Sequence, residues 1–366
     1  MRLRRNEEEL GLREGIAKLA AGATDISRPA AQNASVFWSG LVEGGWLGIA
    51  LPEERGGFAG SATDIASVME AAGHGALITH FLPNVLIAAR LLAWAPECHE
   101  YHDILAAIIA GESALAAVAT GDWDESWPIT AREEAGGWSL TGTAPPVYGA
   151  EHAENLVIQA RLADGGVGYF LAASRTPGIV ARSFPTLRGV PATSFTFDIT
   201  VPASARLDIS AAAASAVFNQ ALAGACWEAV GAMDYLLRTT AEYVAMRHQF
   251  GKPLSSFQVV QHRLAEMSAQ CEIARAAALL ASLATGNVAR ATSHAKIVTS
   301  KAARQVSQNA VQLHGGMGVT EELAVGTYFR LLTSFDALLG TPEQHLARSW
   351  KVAIEPGDFR KSAVLG

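Results

Sequence analysis

Apolar and polar positions change their rhythm twice along this chain, and the changes divide it into three blocks. Residues 1–115 carry helical spacing. Val36, Phe37, Leu41, Trp46 and Leu47 predict a helix over Ser35–Gly48, which breaks at the Pro/Gly-rich turn Leu51–Gly57. A second helix is expected over Ser61–Ala76, capped by Ser61 or Thr63. Pro83 allows a break before Asn84–Trp94, and Tyr101–Ala110 closes the block at Gly111. Residues 116–206 alternate instead. Trp138–Thr143, Asn155–Arg161, Tyr169–Ala172 and above all Ser194–Val201 have period 2, with Phe195, Phe197, Ile199 and Val201 on one face. That pattern is the mark of half-buried strands. Residues 207–366 return to alanine-rich helix. Ala211–Met246 reads as one helix of about 50 Å at 1.5 Å per residue, apolar nearly all round and so buried on most sides. Helices over Phe257–Ala284, Ala289–Leu313, Glu321–Leu332 and Pro342–Ala353 follow, the first set off by a loop at Arg247–Ser256. The expected architecture is α+β and multidomain: an N-terminal helical domain, a middle β-barrel-like domain and a C-terminal four-helix bundle.

Composition narrows the partners. Half of the 366 residues are hydrophobic and 17% are charged, which excludes a disordered chain and leaves material for a large core. A net charge of −7 argues against nucleic acid and anionic membranes. No apolar run approaches the roughly 20 residues of a membrane helix. The basic start lacks the apolar stretch of a signal peptide. Cys98, Cys226 and Cys271 are scattered, which fits a reducing cytoplasm and excludes a disulfide framework. The histidines have no metal-ligand spacing, and neither a GxSxG nor a P-loop is present. Trp46, Trp94, Trp123, Trp127, Trp138 and Trp227 read as packing residues.

Candidate chemistry collects near the C-terminal helices. Arg247 ends a long helix, where its planar fork of donors suits a pyrophosphate, or merely caps the helix. Gly251 permits a sharp turn, and Phe250 offers a flat apolar face. Gly315-Gly316 lets main chain come close to a ligand, or simply stops a helix, and Gln312 can donate to phosphate or ribose.

Four segments, in order, resemble acyl-CoA dehydrogenases: Gly45-Trp-Leu-Gly-Ile-Ala-Leu-Pro-Glu-Glu-Arg-Gly-Gly57, Thr200-Val-Pro-Ala203, Tyr243-Val-Ala-Met-Arg-His-Gln-Phe-Gly-Lys-Pro253 with its continuation to Gln258, and Gln312-Leu-His-Gly-Gly-Met-Gly318. The resemblance covers nearly the whole chain. It implies the family's helix–sheet–helix fold and FAD. It implies that Arg247, Phe250, Gly251, Gln312, Gly315, Gly316 and Thr341 contact that cofactor, the first six across a dimer interface, at the ADP half of a neighbour's FAD. It also implies a carboxylate that takes the α-proton of an acyl-CoA while hydride leaves the β-carbon for the flavin, with an electron-transfer flavoprotein or similar acceptor downstream.

Departures from the family pattern are specific. The usual base lies in Tyr-Glu-Gly-Thr; here the segment is Leu338-Leu339-Gly340-Thr341. The alternative position on the first long C-terminal helix is Ala221. Neither accepts a proton. Glu228 and Asp336 lie nearby in sequence; they read as a hydrogen-bonded buried or interface residue and a solvated or ion-paired one. The ring-contact segment Thr-Glu-Pro-x-x-Gly-Ser-Asp is replaced by Thr120-Gly-Asp-Trp-Asp-Glu-Ser126, and Trp-Ile-Thr-Asn by Pro146-Val-Tyr-Gly149. Glu343 stands where a polar Gln is usual, and its charge repels phosphate. The chain is similar to the base-lacking subunit of α2β2 acyl-CoA dehydrogenases, some of which act on steroid side-chain CoA esters. That implies a second acyl-CoA dehydrogenase subunit as partner. Two alternatives stay open: a homo-oligomer using Asp336 or Glu228, and a scaffold that binds acyl-CoA or a partner without flavin. Small Ala221, Gly224 and Ala225 would leave room for a bulky acyl group.

Overall fold

The computed structural model describes residues 7–25, 30–96, 98–124, 126–319 and 323–354. The chain divides into two compact units, Met1–Val68 with Leu77–Ala221, and Met69–Ala76 with Leu222–Gly366.

In the first unit, α1 (Glu7–Ala23) and α2 (Ala30–Glu43) pack together. The helix expected to reach Gly48 stops at Glu43, because Gly45 takes a left-handed φ of 71° before a short 3₁₀ turn at Trp46–Gly48. A 3₁₀ turn at Glu53–Arg55 fills the Pro/Gly segment. Helix α3 (Ala62–His74) opens with a reciprocal cap at Ser61 rather than Thr63: Asp64 N–H donates to Ser61 Oγ, and Ser61 N–H to Asp64 Oδ2 at 2.8 Å. Pro83 does not break its helix. It sits in the first turn of a π-helical stretch, Phe81–Ala89, where its missing N–H is no loss, and this runs straight into α4 (Arg90–Ala93). Then α5 (His99–Ile109) ends at Gly111, with φ 72°.

A mixed nine-stranded sheet follows, made of β1 (Leu115–Val118), β2 (Thr130–Glu134), β3 (Gly137–Thr143), β4 (Val147–Tyr148), β5 (Asn155–Arg161), β6 (Val167–Ala173), β7 (Ile179–Phe184), β8 (Ala192–Pro202) and β9 (Arg206–Leu207). The barrel-like expectation takes the form of one open sheet in the order β4-β8-β3-β2-β5-β6-β9, with β1 on β5 and β7 on β8. The alternation in β8 does what its pattern demands. Phe195, Phe197, Ile199 and Val201 enter a core with Trp138, Leu140, Ile158 and Phe170, while Thr196, Asp198 and Thr200 face out.

The long helix α6 (Ala211–Met246) has the bounds its sequence predicts. In the second unit its C-terminal part joins α7 (Gln258–Ser282), α8 (Val288–His314), α9 (Val325–Phe335) and α10 (Pro342–Ile354). Helix α8 packs against α7, α9 and α10, and α10 forms where a helix over Pro342–Ala353 is expected. The expected helix start at Glu321 lies outside the described residues; α9 begins at Val325 and runs to Phe335. Segment 69–76 crosses α6 at two glycines. A Cβ on Gly73 would sit 1.8 Å from Glu228 O, and one on Gly231 2.0 Å from Glu70 O, so only glycine allows the approach. Arg275 of α7 pairs with Glu70 there and with Asp234 at 3.6 Å.

Candidate functional site: a two-motif cradle and an emptied base position

Helix α6 delivers Arg247 at its end, and the chain then turns back. Arg247 N–H donates to Tyr243 O, and Arg247 O accepts from Leu254 N–H, both at 2.8 Å. Between them a two-rung hairpin forms from β10 (His248–Gln249) and β11 (Lys252–Pro253). Its two-residue turn needs positive φ at both positions. Gly251 supplies it freely at 78°, but Phe250 adopts it too, at 55°. A phenylalanine held there is strained, and its ring is 89% exposed. Phe257 stands edge-on to that ring at 6.1 Å and carries Lys252 Nζ over its own face at 4.3 Å.

The second motif lies at the end of α8. Gln312 is exposed. Gly315 has φ 61° and ψ −141°, a conformation open essentially to glycine alone, and a Cβ on either Gly315 or Gly316 would point into open space. Tyr243 and His314 bring the two motifs together. Their rings stack at 4.3 Å, and Tyr243 Oη donates to His314 O at 3.4 Å. His314 is buried, which lowers its pKa, and Ala310 O accepts from its Nδ1 at 2.8 Å. The structure thus gathers Arg247, Phe250, Gly251, Gln312, Gly315 and Gly316 at one end of the second unit. Donors, exposed aromatic surface and uncrowded main chain are the features a dinucleotide's phosphates and base require, so the residues present fit the ADP half of FAD.

Thr341 belongs to a different part of this unit. Its Oγ accepts from Gln344 N–H at 3.3 Å, and its N–H donates to Gln344 Oε1 at 2.8 Å, so it caps α10. Ahead of it, Leu339 and Gly340 both have left-handed φ, 54° and 94°. The loop is fastened from behind by side chains that local periodicity does not mark. Lys296, fully buried on α8, donates to Phe335 O and to Leu338 O (2.9 Å), with Nζ 3.7 Å from the centre of the Phe335 ring. His345 Nε2 donates to Leu339 O at 2.8 Å, which leaves Nδ1 to accept from Ser293 Oγ at 3.1 Å. Burial pushes the His345 pKa down to about 4, so the ring stays neutral. The loop is built as a rigid display for residue 339, and that residue is a half-buried leucine.

Neither nearby carboxylate is a free base. Asp336 is paired with Arg304. Glu228 is buried two turns from Ala221 on α6. Glu343 is exposed, and its carboxyl is held below the usual range by its backbone N–H at the start of α10, then by the Thr341 hydroxyl and Arg304. It remains ionised, and it opposes phosphate.

In the first unit the ring-contact segments are closed on their own side chains. Trp123 is buried edge-to-face against Phe218 at 5.8 Å, and Thr120 N–H donates to Gln159 Oε1 at 2.7 Å. Tyr148 is half-buried in β4 beneath the Arg188 guanidinium, 5.9 Å from the ring centre. Gly149 packs against Pro83, Asn84 and His80.

N-terminal helices, a mixed sheet and a C-terminal helical unit, in that order, are the fold of a class of flavin-dependent dehydrogenases. Two family models match: the acyl-CoA dehydrogenase N-terminal domain over residues 6–112 and the C-terminal domain over 211–352. The chain belongs to the acyl-CoA dehydrogenase family, whose members depend on FAD. It is similar to the acyl-CoA dehydrogenase FadE27 of Mycobacterium tuberculosis, at 28% identity over 85% of this chain and 86% of that one. It is also similar to IpdE2 of the same organism, at 27% over 93% and 96%. Among solved structures it resembles the Tcur3481-Tcur3483 steroid ACAD, with TM-score 0.84, 26% identity and coverage of 95% and 98%. The ChsE4-ChsE5 complex of M. tuberculosis shares the fold, with TM-score 0.87 at 23% identity and coverage of 98% and 100%.

Proposed function

We propose that this chain is the FAD-completing subunit of a heteromeric acyl-CoA dehydrogenase, whose partner, a second acyl-CoA dehydrogenase chain, carries the catalytic base. One observation carries the reading: the loop at the family's usual base position is fastened by Lys296 and His345 yet presents Leu339, while Arg247 and the Gln312–Gly316 segment lie together at one end of the second unit. Bound FAD would accept the hydride from the β-carbon of an acyl-CoA and pass electrons to an electron-transfer flavoprotein or similar acceptor. This chain's part is to hold and orient. Arg247 neutralises the pyrophosphate, Gln312 donates to it or to ribose, Phe250 covers an apolar face, and Gly251, Gly315 and Gly316 keep the main chain clear. Loss of the carboxylate removes general-base catalysis, ordinarily worth about 10²–10⁴-fold, but leaves the pairing face untouched. The likeness to a steroid ACAD named by two components supports both the heteromer and a bulky, ring-bearing acyl group.

The test is co-expression with an acyl-CoA dehydrogenase that retains the glutamate. The chain alone should purify without tightly held flavin, and the complex should be yellow, with fewer flavins than chains. Arg247→Ala in this chain should lower the flavin content of the complex. One flavin per chain, with thioester oxidation by the isolated protein, would overturn the proposal.

A further inference from the structure

The first unit contains a cavity of about 520 Å³ that none of the motifs above accounts for. Its walls are mostly apolar: Ala50, Leu51, Pro52, Ala93, Trp94 and Pro96. Four polar side chains interrupt them, Arg90, Arg55, Gln220 and Glu54. Trp94, which reads in the sequence as a packing residue, is instead 55% exposed. The two arginines differ. Arg55 is anchored, its Nη2 donating to Ala95 O at 2.7 Å. Arg90 has a buried Nη1 with no hydrogen-bond partner among the described residues. Burial lowers its pKa to about 10, and no ion pair among the described residues offsets that effect. An unpaired buried guanidinium is costly, and a fold keeps one when something outside the chain completes it. The backbone around it is special as well. The π-helical stretch Phe81–Ala89 ends on Arg90, and such stretches recur at functional sites. Ala59, also on the wall, holds a left-handed φ of 47°.

We infer that this cavity binds a small monocarboxylate with an apolar body. The carboxylate pairs with Arg90 and accepts from the Gln220 amide, and the body lies against Leu51, Ala93 and Trp94. A guanidinium fork matches a carboxylate in two parallel bonds. Glu54 on the wall disfavours a dianion such as phosphate. The volume falls in the range of small-molecule sites. The site lies within one unit and does not rest on the flavin reading; flavin content is a separate measurement.

The experiment titrates the full-length chain, alone or in whatever complex it forms, with sodium octanoate and with neutral octanamide by calorimetry. Octanoate should bind at least roughly tenfold more tightly than octanamide, the difference of about one charged hydrogen-bonded pair. Arg90→Met should remove that preference, and Arg90→Lys should keep part of it. Ala93→Trp, which fills the cavity beside Arg90, should weaken both ligands. Flavin content should be the same in all variants. No octanoate binding up to about 10 mM, equal affinity for the two probes, or undiminished octanoate binding to Arg90→Met overturns the proposal.

Discussion

Leu339 is the residue on which the reading of this protein turns. Its backbone is left-handed, its carbonyl is held by His345, and the carbonyl before it is held by buried Lys296. Restoring the carboxylate therefore restores only one part. Leu339→Glu alone is expected to leave the homomeric chain inactive in dye-reduction assays, because Trp123 and Tyr148 still occupy the ring-contact segments. Robust turnover by that variant would show those contacts to be dispensable. The same loop makes stability depend on pH. Unfolded, the His345 ring takes up a proton below about pH 6.5; folded, it stays neutral down to about 4. Its contribution is therefore whole above pH 6.5 and declines as pH falls towards 4, by up to roughly 3 kcal/mol at 1.36 kcal/mol per pKa unit. His74 and His314, also lowered by burial, act in the same direction. Urea midpoints should fall between pH 7 and pH 5, and His345→Gln should flatten that slope. A slope indifferent to His345→Gln would remove the assignment.

Elements show where local rules suffice. Ser61 with Asp64, Asn287 with Arg290 N–H and Thr341 with Gln344 are caps written in residue types at fixed spacing, and each forms. Helix α6 and strand β8 follow from period alone. Strand β7 could not, since its residues are exposed or half-buried, and no alternation marks it. It exists because β8 offers it a hydrogen-bonding edge over Ala192–Phe197. The hairpin after Arg247 is the element that departs from economy, with phenylalanine at a position suited to glycine or asparagine. Phe250→Gly removes left-handed strain of about 1–2 kcal/mol, so its thermal midpoint should equal or exceed that of the parent, while flavin retention in the complex falls. A variant that loses stability and keeps its flavin would show the ring to be a structural prop.

On the scale of the whole molecule, the second unit leaves an apolar stripe uncovered. Val259, Ile273 and Leu280 lie at multiples of seven residues along α7 and are exposed, as are Met246 and the Phe250 ring at the cradle end. Exposed Glu266 separates Val259 from the pair Ile273 and Leu280, and that pair is the apolar patch tested as an association face. Leu280→Asp is expected to shift the complex to smaller species in size-exclusion chromatography without changing the fold of the chain by circular dichroism. An unchanged elution volume would place the association face elsewhere.

The amino-acid sequence alone determined the alternation of helical, strand and helical blocks, the bounds of α6, the cap at Ser61, the two motifs at Arg247 and Gln312, and the leucine in place of a carboxylate. All of these are encoded by neighbours a few residues apart, where period and residue type act directly. Tertiary structure decided what depends on residues far apart in the chain. Tyr243 meets His314, Lys296 reaches Phe335 and Leu338, and Arg90 and Gln220 line one cavity. A lysine on a polar-looking helix face and an arginine after an apolar run carry no local sign of burial. Only the packing of distant segments removes water from them, and that removal gives each its chemistry.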